Sequence, residues 1–342
     1  MAQPFKKHLF AVARLLLIAA GVGYILWSVR WHDYAVAGPD DANPILRDGM
    51  LRLIAESKKG WLLAGLAMTG LIVPLQTLRW WLLLRCRKLD VAFGSVMRLT
   101  LTGLFFNFCV PLGSNGGDVA KAYGVAKSVH GQADNPENAR TIAVISVLLD
   151  RLAGLLGLLL LAAAAGPFLI VQGNGAVGKR VTATAWAILG VLATGAFLYL
   201  HPLPRRLLGI NLLTRVGVVQ KLDAAVTGYR HHVGTFAVTI GLSVPVHLIL
   251  ATATAFAGYA VGVPAALSTL IAALPIAFLT GALPITVLGM GVMEPAAASL
   301  LEGSGTTFNQ IVAMMMAYRA FMLVYGLIGG LAMLLRRKRR GA

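Results

Sequence analysis

The protein has 342 residues, of which 58% are hydrophobic and only 13% are charged. A soluble domain carries about 25% charged residues and needs polar helix faces, so this composition excludes a soluble enzyme or binding domain. The net charge of +17 would suit a nucleic-acid-binding protein, but the basic residues lie between apolar runs and at the C-terminus, as in membrane proteins. We therefore predict an all-α polytopic integral membrane protein without a nucleic-acid partner.

Eight apolar runs follow one another along the chain, and most reach the roughly 20 residues that a membrane-spanning helix needs. In chain order they are Phe10–Val29, Trp61–Leu84, Phe93–Pro111, Thr141–Val171, Val181–Leu200, Phe236–Val263, Ala265–Leu283 and Phe308–Leu335. Two of them, Phe93–Pro111 and Ala265–Leu283, end in proline and glycine rather than in a polar loop. Each of these two either spans the membrane or turns back as a re-entrant hairpin.

The distribution of basic residues decides between these alternatives, because cytoplasmic loops of membrane proteins are enriched in Lys and Arg. If both broken runs are hairpins, 18 Lys and Arg residues lie in cytoplasmic segments, 7 in outer loops and 5 within the membrane. If both runs span, the counts become 12 inside and 13 outside, which shows no bias. The hairpin arrangement is therefore predicted.

The chain is thus predicted to be a single membrane domain, 1–342, with six spanning helices, two re-entrant helical hairpins from opposite faces, and both termini in the cytoplasm. We expect it in the cell (inner) membrane. The predicted segments are a cytoplasmic N-terminus (1–9), an outer loop (30–60), a cytoplasmic-side hairpin (93–127), a cytoplasmic basic loop (201–235), an outer-side hairpin (265–303) and a basic cytoplasmic tail (336–342).

Opposed broken helices are the means by which inverted-repeat transporters build a central binding site. We therefore expect Gly117 and Gly291, in the tips of the two hairpins, to approach one cavity. Asp118, Glu294 and Arg319 would then lie around that cavity.

The first hairpin contains the most distinctive motif, which consists of Asn107, Pro111, Gly116, Gly117 and Asp118. Pro111 ends a helix, and the paired glycines permit positive φ and a close approach of another group. The residues that follow can begin a helix whose free N–H groups favour an anion, with Lys121 as a further ligand for a lipid phosphate. Asp118 is then either a helix N-cap or a proton or cation site.

The second hairpin contains Pro284, Gly289, Gly291, Glu294 and Pro295. Glu294 precedes a proline and is biased away from helical geometry, whereas Pro295 suits the first position of a short helix. A carboxylate at membrane depth is costly, so Glu294 is either the cap of that helix or part of a functional site.

Several charged residues lie within apolar runs. Asp150 and Arg151 are adjacent, so on a helix they face different directions and each needs a separate partner. Arg319 lies near the middle of the last run, where it either binds an anionic headgroup or forms a structural ion pair with Glu294 or Asp118. The remaining three, Arg14, Arg79 and Arg98, lie near cytoplasmic ends, where we expect snorkelling toward water.

No motif for soluble chemistry accompanies these charges. The histidines lack metal-binding spacing, and we expect His247 to be a satisfied buried side chain. Cys86 and Cys109 imply no disulfide framework, and neither a Walker motif nor a dinucleotide fingerprint occurs in the required context. We expect no metal, no cofactor and no ATP-driven transport by this chain alone.

The ordered motifs resemble the membrane domain of lysylphosphatidylglycerol synthase/flippase proteins over roughly Leu62–Leu335. The resemblance rests on Arg79-Trp80, Asn107, Pro111, Gly116-Gly117-Asp118, Lys121, Asp150-Arg151, Pro284, Gly289, Gly291, Glu294 and Tyr318-Arg319. The family often has Arg in place of Lys121, Glu in place of Asp150, Gly in place of Leu288 and a basic residue in place of Met293. These departures bear on which lipid headgroup the protein binds more than on its fold.

The resemblance implies a flippase-like protein without the soluble aminoacyl-transferring domain. We expect it to handle an anionic or aminoacylated phospholipid, or a polyprenyl-linked lipid, and not to be an enzyme. The alternatives are an integral-membrane enzyme acting on a lipid-linked phosphate or sugar, and a small-solute transporter. Membrane lipids are the expected substrate, and a second copy or an enzyme of lipid or envelope synthesis is the expected partner. The predicted substrate-binding residues are Asn107, Gly116, Gly117, Asp118, Lys121, Asp150, Arg151, Gly289, Gly291, Glu294 and Arg319.

Overall fold

A computed structural model describes residues 19–36, 45–109, 116–129, 136–171, 175–201, 220, 223–224, 226–282 and 287–340. Its helices are α1 (Ala19–Ser28), α2 (Met50–Ala55), α3 (Lys59–Gly70), α4 (Ile72–Arg85), α5 (Phe93–Phe108), α6 (Gly116–Ser128), α7 (Pro136–Val171), α8 (Gly175–Leu200), α9 (Val233–Ala260), α10 (Leu267–Ala282), α11 (Met293–Leu300) and α12 (Phe308–Arg340). Two short strands, β1 (Tyr34–Val36) and β2 (Ile45–Arg47), and two 3₁₀ turns, η1 (Arg230–His232) and η2 (Val287–Gly289), complete the fold.

Among the described residues, five helical stretches are long and apolar enough to cross a membrane: Lys59–Arg85, Ala139–Val171, Gly178–Tyr199, Arg230–Ala260 and Phe308–Leu335. Each coincides with a predicted apolar run, because a helix satisfies its backbone hydrogen bonds internally where lipid offers none. The prediction of an all-α integral membrane protein is confirmed. Of the predicted first span, Phe10–Val29, only the part from Ala19 onward is described, so the sixth span stays a prediction.

The two broken regions form short helices. At 1.5 Å per residue, the 16 residues of α5 and the 16 of α10 each extend about 24 Å, less than the roughly 30 Å hydrocarbon core. These lengths are compatible with re-entrant hairpins, but the hairpins and their direction of entry both stay predictions. Several predicted features lie outside the described residues: the prolines Pro111 and Pro284, the N-terminus 1–9 and most of the basic loop 201–235.

Contacts within the chain define two compact units. The first comprises Met1–Thr69 and Leu248–Met322, and the second comprises Gly70–His247 and Leu323–Ala342.

The core of the second unit is built where α4, α5, α6 and α7 pack together. Its fully buried side chains include Trp80, Leu84, Val96 and Val125. In an adjoining cluster, the Tyr229 hydroxyl donates to the Leu83 carbonyl at 3.1 Å, and burial raises the pKa of Tyr229. Helix α8 packs against α7 but is little buried, as expected for a helix surrounded by lipid.

The first unit contains the predicted outer loop, which is more structured than the sequence suggested. Strands β1 and β2 pair antiparallel, with Tyr34 opposite Arg47. The N–H of Gly49 donates to the Asp33 carboxylate at 2.8 Å, which lowers the pKa of Asp33. The buried side chain of Asn309, on α12, fixes the first residue of this loop, because its amide donates to the Arg30 carbonyl at 2.8 Å. The sequence shows no sign of these strands, because three residues are too few to show the alternation of apolar and polar side chains that marks a strand.

Candidate functional site

The first predicted hairpin is closed by a contact between α5 and α6. Asn107 accepts the N–H of Gly117 at 2.9 Å, and a Cβ added at Gly117 would lie 2.3 Å from the Gly103 carbonyl oxygen. The expected close approach at this glycine is therefore confirmed. Neither glycine uses the positive φ that this residue type permits, because Gly116 and Gly117 have helical geometry within α6. The Gly117 N–H, at the start of α6, is used by Asn107.

Asp118 is the third residue of α6, so it is not the N-cap. Its carboxylate forms an ion pair with Arg151 on α7. The side chain of Asp118 is 19% exposed and that of Arg151 is 39% exposed, so this pair lies at the edge of the packed core. It links the short helix α6 to the long helix α7.

A second ionic cluster is buried deeper in the same unit. Arg79 on α4 donates to Asp150 at 2.7 Å, and Lys121 on α6 donates to the other oxygen of Asp150 at 3.3 Å. Arg79 also donates to Ser243 on α9 at 2.9 Å. The expected snorkelling of Arg79 is wrong, since its side chain is only 8% exposed and is held by a buried carboxylate. Asp150 and Arg151 have separate partners, as predicted.

Aromatic and polar side chains complete this cluster. The Lys121 ammonium lies 4.6 Å from the centre of the Trp80 ring, a cation–π distance, and the Trp80 indole donates to Ser146 at 3.1 Å. His247 contacts the Gly154 carbonyl through Nε2 at 3.0 Å, whereas its Nδ1 has no partner among the described residues. The expectation that His247 is fully satisfied is therefore only half met.

A groove of about 1030 Å³ runs between α6 and α7. Its volume is at the upper end of the range for small-molecule sites. Its charged lining residues are Asp118, Lys127, Arg140 and Arg151, and its other lining residues are Val119, Ala122, Tyr123, Ala126, Val144, Val147 and Leu148. Several apolar members are exposed, among them Val119, Tyr123 and Leu148. The groove thus offers an apolar wall and charged groups to one ligand.

In the first unit, the second predicted hairpin is organised around one buried ion pair. Arg319 on α12 donates to Glu294 at 2.6 Å, and the two side chains are 6% and 0% exposed. Arg319 also donates to the Leu288 carbonyl at 3.2 Å, and Glu294 accepts the N–H of Gly291 at 2.9 Å. Of the two alternatives for Arg319, the structure contains the ion pair with Glu294.

The backbone of this predicted hairpin differs from the expectation that Glu294 is non-helical and that Pro295 is the first residue of the short helix. Glu294 is the second residue of α11 and Pro295 the third, so Glu294 is helical despite preceding a proline. A proline in the first turn removes an N–H that would have no helical partner, so the turn tolerates it. Gly289 and Gly291 have φ of +69° and +82°, and Leu288 has φ of 57°, a conformation that favours glycine.

The family model of the lysylphosphatidylglycerol synthase TM region matches residues 48–330. The chain belongs to this family. Among curated proteins the comparison finds no significant match. Membership of a family named for a lipid synthase indicates a function related to membrane lipids.

In this member of the family, the predicted site residues fall into two groups. The second unit contains Asn107, Gly116, Gly117, Asp118, Lys121, Asp150 and Arg151. The first unit contains Gly289, Gly291, Glu294 and Arg319. The expected approach of Gly117 and Gly291 to one cavity stays a prediction.

Sequence reasoning missed Arg79, Ser243, Lys127 and Arg140. Arg79 could have been found, because a cation within a long apolar run needs a partner whenever that run is buried. The other three carry no comparable signal, since a serine in a helix and basic residues in a polar segment are common.

Proposed function

We propose that this protein is a flippase-like transporter that binds a polar-headed membrane lipid and moves it between leaflets. The observation that carries the proposal is the groove between α6 and α7. A lipid needs an apolar surface for its chains and charged partners for its headgroup, and this groove combines both. Family membership points to the same substrate class.

Transport is favoured over catalysis by the state of the carboxylates in the second unit. An acid–base catalyst needs a carboxylate that can reach the substrate's proton. Asp118 is ion-paired with Arg151, and Asp150 is held by both Arg79 and Lys121. We therefore propose that the chain is not itself an enzyme, and that it acts in the cell membrane with both termini in the cytoplasm.

A flipping assay with the purified protein tests the proposal. The protein is reconstituted into vesicles that contain a headgroup-labelled fluorescent phospholipid, and dithionite quenching reports how fast labelled lipid crosses the bilayer. We expect faster crossing than in protein-free vesicles. Equal rates with and without protein would contradict the proposal.

A matched pair of variants assigns the activity to the groove. Val144→Trp places a large side chain in the groove at a position that is already 44% exposed, so it should slow flipping without unfolding the protein. Leu160→Trp makes the same kind of change on α7, at a residue that is 37% exposed and does not line the groove. We expect Leu160→Trp to flip lipid like the wild type. Wild-type flipping by Val144→Trp would exclude the groove as the path.

A further inference from the structure

One end of the groove carries two cations, Lys127 and Arg140. Lys127 lies in the last turn of α6 and Arg140 near the start of α7, and both line the groove with exposed side chains. Neither forms an ion pair with any residue that the structure describes. Arg151, which also lines the groove, is 11 residues further along α7, or about 16 Å at 1.5 Å per residue.

The charges of the groove are unbalanced. Its lining contains three cations, Lys127, Arg140 and Arg151, and one carboxylate, Asp118, which is paired with Arg151. The charges of Asp118 and Arg151 cancel, so the two remaining positive charges of the lining belong to Lys127 and Arg140. Like charges repel and opposite charges attract more strongly next to apolar walls than in water. A headgroup with a net positive charge is therefore disfavoured at this end, and a phosphate is favoured.

We infer that Lys127 and Arg140 form a phosphate-binding site that selects anionic phospholipids and disfavours aminoacylated, cationic ones. The inference rests on the proposed function, since it names the substrate class of the same groove. The phosphate binds the ammonium of Lys127 and the guanidinium of Arg140. The ammonium attracts phosphate oxygens as a compact positive charge, and the planar guanidinium can donate two parallel hydrogen bonds to them. An acyl chain lies along exposed Val144 and Leu148, which continue the groove from Arg140 along α7.

Native mass spectrometry of the detergent-solubilised full chain tests this selectivity. The protein is titrated with phosphatidylglycerol, phosphatidylcholine or lysyl-phosphatidylglycerol, and the lipid-bound fraction is measured. We expect phosphatidylglycerol to bind more tightly than the other two lipids. We also expect its binding to weaken as ammonium acetate is raised, because salt screens exposed charges.

A charge-matched pair of double variants locates the site. Lys127→Gln/Arg140→Gln should weaken phosphatidylglycerol binding by about fivefold for each charge removed. It should weaken phosphatidylcholine binding less, because the choline cation already offsets the charge of the phosphate. The control, Lys88→Gln/Arg98→Gln, removes two exposed cations of the same unit that do not line the groove, and it should bind phosphatidylglycerol like the wild type.

The outcomes separate this inference from the proposed function. Equal loss of binding in both double variants would overturn the inference, because only net charge would then matter. Tighter binding of lysyl-phosphatidylglycerol would also overturn it, while flipping in vesicles would still support transport. Selective, Lys127- and Arg140-dependent binding without any flipping would uphold the site and refute the transporter.

Discussion

The buried charges that the structure describes are held as ion pairs. Glu294 is fully buried against Arg319, and Asp150 is held between Arg79 and Lys121. Removing water from a charge costs several kcal/mol, which an opposite charge at hydrogen-bond distance offsets. Arg319 is therefore fixed by its partner, and any headgroup that binds it must compete with Glu294.

We expect Arg319→Gln to destabilise the protein by about 3–5 kcal/mol, because it leaves Glu294 buried without a counter-charge. The double variant Glu294→Gln/Arg319→Gln should recover much of that loss. Arg98→Gln, at an exposed residue hydrogen-bonded to Ser95, is the control and should change stability by less than about 0.5 kcal/mol. Thermal unfolding in detergent measures all three.

A double variant no more stable than Arg319→Gln would show that the pair is not the source of the effect. An Arg319→Gln variant with wild-type stability and impaired flipping would instead favour a headgroup role for Arg319.

Helices α5 and α6 pack closely because Gly117 has no side chain. The Gly103 carbonyl oxygen and the Asn107 side chain occupy the space that a Cβ would take. The same contact lets Asn107 accept the Gly117 N–H, which is one of the donors that the start of α6 leaves without a helical partner. The position of α6, and hence one wall of the groove, depends on this contact.

We expect Gly117→Ala to destabilise the protein by about 1–3 kcal/mol, since α5 and α6 must separate to admit the methyl group. Gly94→Ala, on α5, adds a methyl group that meets nothing within 4 Å and should be neutral or slightly stabilising. The melting temperatures of the two variants in detergent provide the comparison. If both behave alike, the close approach of α5 and α6 does not limit stability.

The orientation of the whole molecule in the membrane is predicted from the distribution of its basic residues. The predicted arrangement places 18 Lys and Arg residues on the cytoplasmic side and 7 outside. The five spans that the structure describes agree with a polytopic protein but do not by themselves give the side of each loop.

Single cysteines test the orientation in a background without Cys86 and Cys109. Exposed Ser128→Cys should react with a membrane-impermeant maleimide only after the membrane is opened, and exposed Glu302→Cys should react in intact cells. Glu302 is preferred to Gly303 and Gly305, which have φ of +80° and +76° and would strain a cysteine. Labelling of Ser128→Cys in intact cells would refute the first hairpin's cytoplasmic entry.

The sequence by itself determined that the chain is a helical membrane protein of this family. Hydrophobic runs of spanning length need only local backbone hydrogen bonding to form helices, so Thr141–Val171 and Phe308–Leu335 could be recognised without tertiary information. The ordered motifs identified the family in the same way, because their spacing is read directly along the chain.

Only the tertiary structure decided which charges meet. Arg79 and Asp150 are 71 positions apart, and Glu294 and Arg319 are 25 apart, so neither pairing is visible in local spacing. The groove likewise exists only because α6 packs against α7, which brings Lys127 and Arg140 into one lining. Helix formation is local, whereas ion pairs and cavities depend on which helix faces pack together, and many packings are compatible with the same apolar runs.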